Sequence, residues 1–178
     1  MKHVILFLSL LFALTQLTMT LFDFNSESNI SNWRTVDDVV MGGLSSGNFK
    51  INDDGHGLFF GNVSLENNGG FSMVQYRFST KEVKSYSKVC IKLKGDGKTY
   101  QFRIKKNSTD KHTYVTPFDT SGDWETIEIP FSTLYPAFRG RTLDIPNYPG
   151  EQMDMIAFLI GNKKAQSFNL EIDSITLK

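Results

Sequence analysis

Short runs of alternating apolar and polar residues, each closed by glycine, asparagine or aspartate, recur along this chain and admit little besides antiparallel β-structure. A strand sends successive side chains to opposite faces, so a period of two marks one buried face. Leu58–Leu65 and Phe71–Phe78 alternate in this way, as do the segments carrying Val89, Ile91 and Leu93, and Tyr100, Phe102 and Ile104. With Tyr114–Phe118, Trp124–Ile129, Met153–Ile160 and Phe168–Leu177 they make a set of about eight strands. Asp53-Asp54-Gly55, Asn67-Asn68-Gly69-Gly70, Gly95-Asp96-Gly97 and Ser121-Gly122-Asp123 between them supply residues that tolerate positive φ. Gly95-Asp96-Gly97-Lys98 reads as a hairpin turn. In the last run the apolar phase slips from even (Phe168, Leu170, Ile172) to odd (Ile175, Leu177), which places a β-bulge at Asp173-Ser174. Leu134–Gly150, with Pro136, Pro146 and Pro149, reads as a long irregular loop. The pattern predicts an all-β sandwich or jelly roll.

Lys2 and His3 precede the apolar run Val4–Leu14, and Thr15–Thr20 is more polar, the plan of a secretory signal peptide. The run falls short of the roughly 20 apolar residues that cross a bilayer. Residues 1–20 are expected to be a signal peptide or an N-terminal anchor, with cleavage open because Thr18 and Thr20 stand where Ala-x-Ala would be clearer. Residues 21–178 are expected to be one exported domain, periplasmic or extracellular, free or tethered by residues 4–14, and monomeric. Of the 19 basic residues only Lys2 precedes it, leaving 18 against 19 acids. Such balance gives no electrostatic footprint for nucleic acid and no strong one for a membrane surface. Cys90, the single cysteine, lies between Val89 and Ile91 and reads as a small buried hydrophobe.

Thr35–Gly47 (TVDDVVMGGLSSG) invites four chemical readings. Gly42 and Gly47 have P-loop spacing, but Asn48 and Phe49 stand where a lysine and a hydroxyl would handle phosphate and magnesium. The dinucleotide fingerprint fails too, since Gly55-x-Gly57 is followed by Gly61, one residue late. Gly43-Leu44-Ser45-Ser46-Gly47 matches the serine-hydrolase elbow in letters, with His56 and His112 as candidate bases. That motif needs a helix after the turn, and Asn48–Asn52 is a strand pattern, so an esterase on Ser45 is a remote alternative. Asp37-Asp38 and Asp53-Asp54 are carboxylate pairs, yet neighbours on a strand diverge, and no His/Cys cluster suits zinc. No catalytic residue, cofactor or metal site is assigned, and a structural calcium stays open. For sugar binding the candidates are Tyr135, Phe138, Arg139 and Tyr148, which either stack on a glycan or pack their loop onto the core.

The segment Trp33–Gly47 resembles the signature of the complex I intermediate-associated protein 30 family. Phe60–Phe71 (FGNVSLENNGGF), Gly95-Asp96-Gly97, Trp124 with Ile129-Pro130-Phe131, Pro136–Gly140 (PAFRG), Ile160-Gly161 and Phe168–Ile172 follow in the family's order. The resemblance implies a galactose-binding-like jelly-roll β-sandwich without catalysis, and chaperone-like binding of protein partners or assembly intermediates. Its best-understood members help assemble respiratory complex I. This chain departs from them at its N-terminus, where a secretory-type segment replaces an Arg-rich transit peptide, which points to a small exported bacterial member with an unknown protein partner. An exported carbohydrate-binding module, with a glycan ligand, is the alternative. Gly42, Gly43, Gly69 and Gly70 are expected to let two loops approach each other, while Asp37, Asp38, Asn67 and Asn68 cap turns, satisfy buried backbone groups and only secondarily reach a ligand.

Overall fold

The computed structural model describes residues 17–178, so the expected signal-peptide core and the tether at residues 4–14 lie outside the described residues. Thirteen strands form: β1 Met19–Asp23, β2 Trp33–Asp37, β3 Ser46–Ile51, β4 Gly57–Val63, β5 Ser72–Glu82, β6 Lys88–Lys94 and β7 Thr99–Lys105, then β8 Thr113–Asp119, β9 Trp124–Pro130, β10 Tyr135–Phe138, β11 Arg141–Thr142, β12 Gln152–Ile160 and β13 Gln166–Leu177. One sheet runs β3-β4-β13-β6-β9 with β1 also on β13, and the other runs β11-β10-β8-β7-β12-β5-β2. All pairings are antiparallel. The result is a jelly-roll β-sandwich. Among the described residues no helix is long and apolar enough to cross a membrane.

The alternating residues fill the space between the sheets. Tyr100, Phe102 and Ile104 of β7 and Ile156, Phe158 and Ile160 of β12 meet Val89, Ile91 and Leu93 of β6 and Leu170, Ile172, Ile175 and Leu177 of β13, all fully buried. Each such side chain contributes about 1.5–3 kcal/mol on leaving water. The β13 register shifts between Ile172 and Ser174, so the bulge sits where the apolar phase slips. Cys90 is a free, buried thiol, and burial pushes it above its usual range.

Two expectations are corrected. Gly95-Asp96-Gly97-Lys98 is no hairpin: β6 belongs to the six-stranded sheet and β7 to the seven-stranded one, so the turn carries the chain across the core. Asp96 pins this arch by accepting hydrogen bonds from the Tyr100 hydroxyl (3.0 Å) and from the Lys98 ammonium and the Asn169 amide (2.7 and 2.9 Å). Leu134–Gly150 is not irregular throughout, because β10 pairs with β8 and β11 extends the same edge. The first strand starts at Met19.

Candidate functional site

Asp37 and Asp38 stand at the end of β2, where the chain turns into the 3-10 segment Asp38–Met41. Their carboxylates diverge. Asp37 accepts from the Gly47 amide (2.9 Å) and the Ser72 hydroxyl (2.6 Å), tying β2 to both sheets. Asp38 is fully buried. It accepts from the Ser45 amide (2.9 Å), the Ser45 hydroxyl, the Gly70 amide and, at 3.1 Å, the Phe71 amide. Burial by itself raises its pKa, but the Ser45 hydroxyl and the Gly70, Ser45 and Phe71 amides outweigh that and hold the carboxyl below its usual range.

The two glycine pairs clasp this carboxylate from opposite sides and divide the work. Gly42 and Gly70 take positive φ (90° and 142°). Gly43 and Gly69 are needed for space: a Cβ on either would lie 2.3 Å from Asp38 Oδ1 or 2.7 Å from Oδ2. Asn67 and Asn68 supply the positive φ expected of this turn. They hold left-handed backbone (φ 54° and 59°), and their side chains are exposed. Ser45 is 2% exposed, donates to Asp38 and accepts from the Ser64 amide (3.0 Å), and β3 rather than a helix follows, so its hydroxyl is engaged in structural hydrogen bonds.

This hub presents an apolar rim. Val39, Met41, Leu44 and Leu65 on the clasped loops are 60, 65, 55 and 45% exposed. Beside it, on the face of the seven-stranded sheet turned away from the core, lies a cleft of about 500 Å³ lined by Val36, Met41, Phe71, Met73, Arg103 and Leu159, among others. Strand register builds its floor. One row runs Val36, Met73, Leu159, Gln101, Pro117 across β2, β5, β12, β7 and β8. The next runs Arg34, Gln75, Ala157, Arg103, Val115, Tyr135, and a third runs Arg77, Met155, Lys105. These rows contain no aspartate or glutamate. Met155, Ala157 and Leu159 are buried although they face outward, sheltered by longer neighbours. The Arg103 guanidinium donates to Gln101 Oε1 (2.7 Å), and its Nε is buried with no acceptor. Burial also lowers its pKa, against which the nearby Tyr135 phenol acts.

The aromatic candidates separate. Tyr148 is 4% exposed, packs on Tyr114 and Phe131 and donates to the Gln152 carbonyl (2.9 Å), so it belongs to the core. Tyr135 stands half-buried in the Arg103 row. Phe138 lies at the sheet edge under the Arg139 guanidinium, 5.4 Å from the ring centre, and Arg139 reaches the cleft wall. Val36, Met41, Phe71, Met73, Gln101, Arg103 and Leu159 join the site only through the fold. The available signal was β12, whose run Met155–Ile160 is apolar on both faces and therefore cannot lie bare on a solvated sheet. Among the described residues no group of three His, Cys, Asp or Glu side chains could hold a metal ion.

A family described as Complex I intermediate-associated protein 30 matches residues 22–172. Among solved structures, the chain is similar to the family 11 carbohydrate-binding module of a cellulosomal cellulase of Clostridium thermocellum, with 20% identity, a TM-score of 0.65 and coverage of 90% of this chain and 93% of the module. That family 11 module in complex with a beta-1,3-1,4-mixed-linked tetrasaccharide matches with the same identity and TM-score over 90% of this chain and 94% of the other. A family 29 carbohydrate-binding module matches at 9% identity and a TM-score of 0.53, over 91% of each chain. At these identities the likeness shows the shared jelly-roll fold.

Proposed function

Because the chain belongs to the complex I intermediate-associated protein 30 family, we propose that it is a non-enzymatic, chaperone-like module that binds protein partners or assembly intermediates. One observation carries this reading: the rim of Val39, Met41, Leu44 and Leu65 is held out in water by a fully buried carboxylate. Exposed apolar clusters of this kind suit protein surfaces. Met41 and Met73 in the adjoining wall add adaptable side chains that tolerate varied partners. The Lys2–Thr20 pattern supports export of the domain to the periplasm or cell exterior, by way of a signal peptide or anchor within residues 1–20. The test is suppression of aggregation of a chemically unfolded reporter protein. Wild type is expected to suppress it, and Met41→Asp combined with Leu44→Asp to lose the effect at unchanged melting temperature. No suppression by wild type, or full suppression by the double variant, refutes the reading.

Glycan binding is the second reading. The fold shared with carbohydrate-binding modules favours it. The three outward rows offer a single aromatic ring, Tyr135, and lack the broad aromatic platform on which sugars stack, so it ranks below protein binding. A glycan array with no signal for the wild-type protein removes it.

A further inference from the structure

We infer that the cleft on the seven-stranded sheet receives a protein segment that offers a carboxylate to Arg103 between apolar side chains. This deepens the protein-binding reading by naming the chemistry of the occupant. The chain has five arginines, at 34, 77, 103, 139 and 141, and all lie on the strands or the β10–β11 turn of this one sheet. The ion pairs among the described residues use His56 and lysines, never an arginine. Arg34, Arg77 and Arg103 point out of the sheet in rows that hold no acid. Those rows therefore bring Arg34, Arg77, Arg103 and Lys105 together with no acid among them, although the whole protein is balanced at 19 basic and 19 acidic residues.

Arg103 is the group most in need of an acceptor. It is the arginine on the cleft floor, its Nε is buried and unpartnered, and one Nη is spent on Gln101. A guanidinium with open donors in a sheltered site takes a carboxylate through two parallel hydrogen bonds, and shelter from water strengthens them. Val36, Met41, Phe71, Met73 and Leu159 around it would contact apolar residues flanking that carboxylate. The same walls argue against an acidic sugar, whose ring hydroxyls find few polar partners there.

The experiment selects a random-peptide display library on the full wild-type chain and on Arg103→Gln and Arg103→Lys. Wild type is expected to enrich peptides with Asp or Glu between apolar residues. Arg103→Gln should lose the acidic preference, and Arg103→Lys should keep part of it. Replacing the acid by its amide in an enriched peptide should weaken binding to wild type at least tenfold. A direct readout that needs no variant is the 15N-detected Arg103 Nε–H resonance, expected to move downfield with the acidic peptide and to stay in place with the amide. The inference is overturned by no enrichment, by an enriched set without acidic residues, by an acidic preference that survives Arg103→Gln, or by an oligouronate that outcompetes every peptide. If it falls while Met41→Asp with Leu44→Asp still abolishes aggregation suppression, the broader protein-binding reading stands; if wild type suppresses nothing, that reading falls on its own test.

Discussion

Asp38→Asn is the sharpest probe of the hub. The change keeps size and removes charge. An asparagine set with its oxygen toward the Ser45 amide would turn its NH2 on the Gly70 and Phe71 amides, which also donate. Flipped, it keeps those two amides and strands the Ser45 amide against a donor. The flipped form costs less. It leaves one buried N–H unsatisfied, about 1–3 kcal/mol, and turns charge-assisted bonds into neutral ones of about half the strength. The sum is a destabilisation of about 3 kcal/mol at pH 7, a large fraction of the 5–15 kcal/mol typical of a domain. Urea unfolding at a series of pH values measures it. The folded-state pKa of Asp38 is depressed, so the unfolded chain binds its proton more readily. The stabilising contribution is then complete above the unfolded value of about 3.9 and fades as pH falls through the folded value. The gap between wild type and Asp38→Asn should therefore hold steady from neutral pH to about pH 5 and shrink in stronger acid. A gap below about 1 kcal/mol at pH 7, or one unchanged down to pH 2, refutes the assignment of Asp38 as a charged hub.

Gly43→Ala would press a methyl to 2.3 Å from Asp38 Oδ1, and overpacking of this kind costs about 3 kcal/mol. Gly42→Ala meets nothing within 4 Å and pays only for its positive φ, about 1–2 kcal/mol; equal losses in thermal melts would show that the two glycines do not divide their roles. Ser45→Ala should lower stability by about 1–3 kcal/mol by stranding the Ser64 amide and leave ester turnover at the level of the reaction without protein; an esterase activity abolished by this change would restore the nucleophile reading. Tyr148→Phe should cost about 1 kcal/mol through its lost bond to the Gln152 carbonyl and leave binding isotherms for any ligand unaltered, whereas a binding defect at unchanged stability would return Tyr148 to the surface site.

Much of the sandwich is legible because burial imposes a simple rule on each strand. Tyr100, Phe102 and Ile104 had to face the core, and the phase slip before Ile175 had to cost one residue of register. The arch at Gly95–Lys98 was not legible, because two strands alternate identically whether they lie side by side in one sheet or face each other across the core. The edge strands β10 and β11 were hidden by proline: Pro136 has no amide to donate, yet it faces Tyr114 at the sheet margin, where such a donor can be spared. In the site, Asp37, Asp38 and the glycines stood out because their residue types are unusual for a strand end. Arg103, Met73 and Leu159 did not, because each fits an ordinary outward strand position, and only the register of five strands brings them to one place.

Among the described residues β13 comes last in sequence of the thirteen strands, and it pairs with β4, β6 and β1 in the interior of its sheet. Those three partners span residues 19 to 94 and must wait, with bare hydrogen-bonding edges, until residues 166–177 arrive. Sandwiches closed by such distant pairings fold slowly, in about milliseconds to seconds. A ribosome or a membrane channel releasing these strands in sequence order would hand over an open six-stranded sheet until β13 emerged. Until then the waiting edges of β1, β4 and β6 are free to pair wrongly, the hazard of any sheet closed by its latest strand.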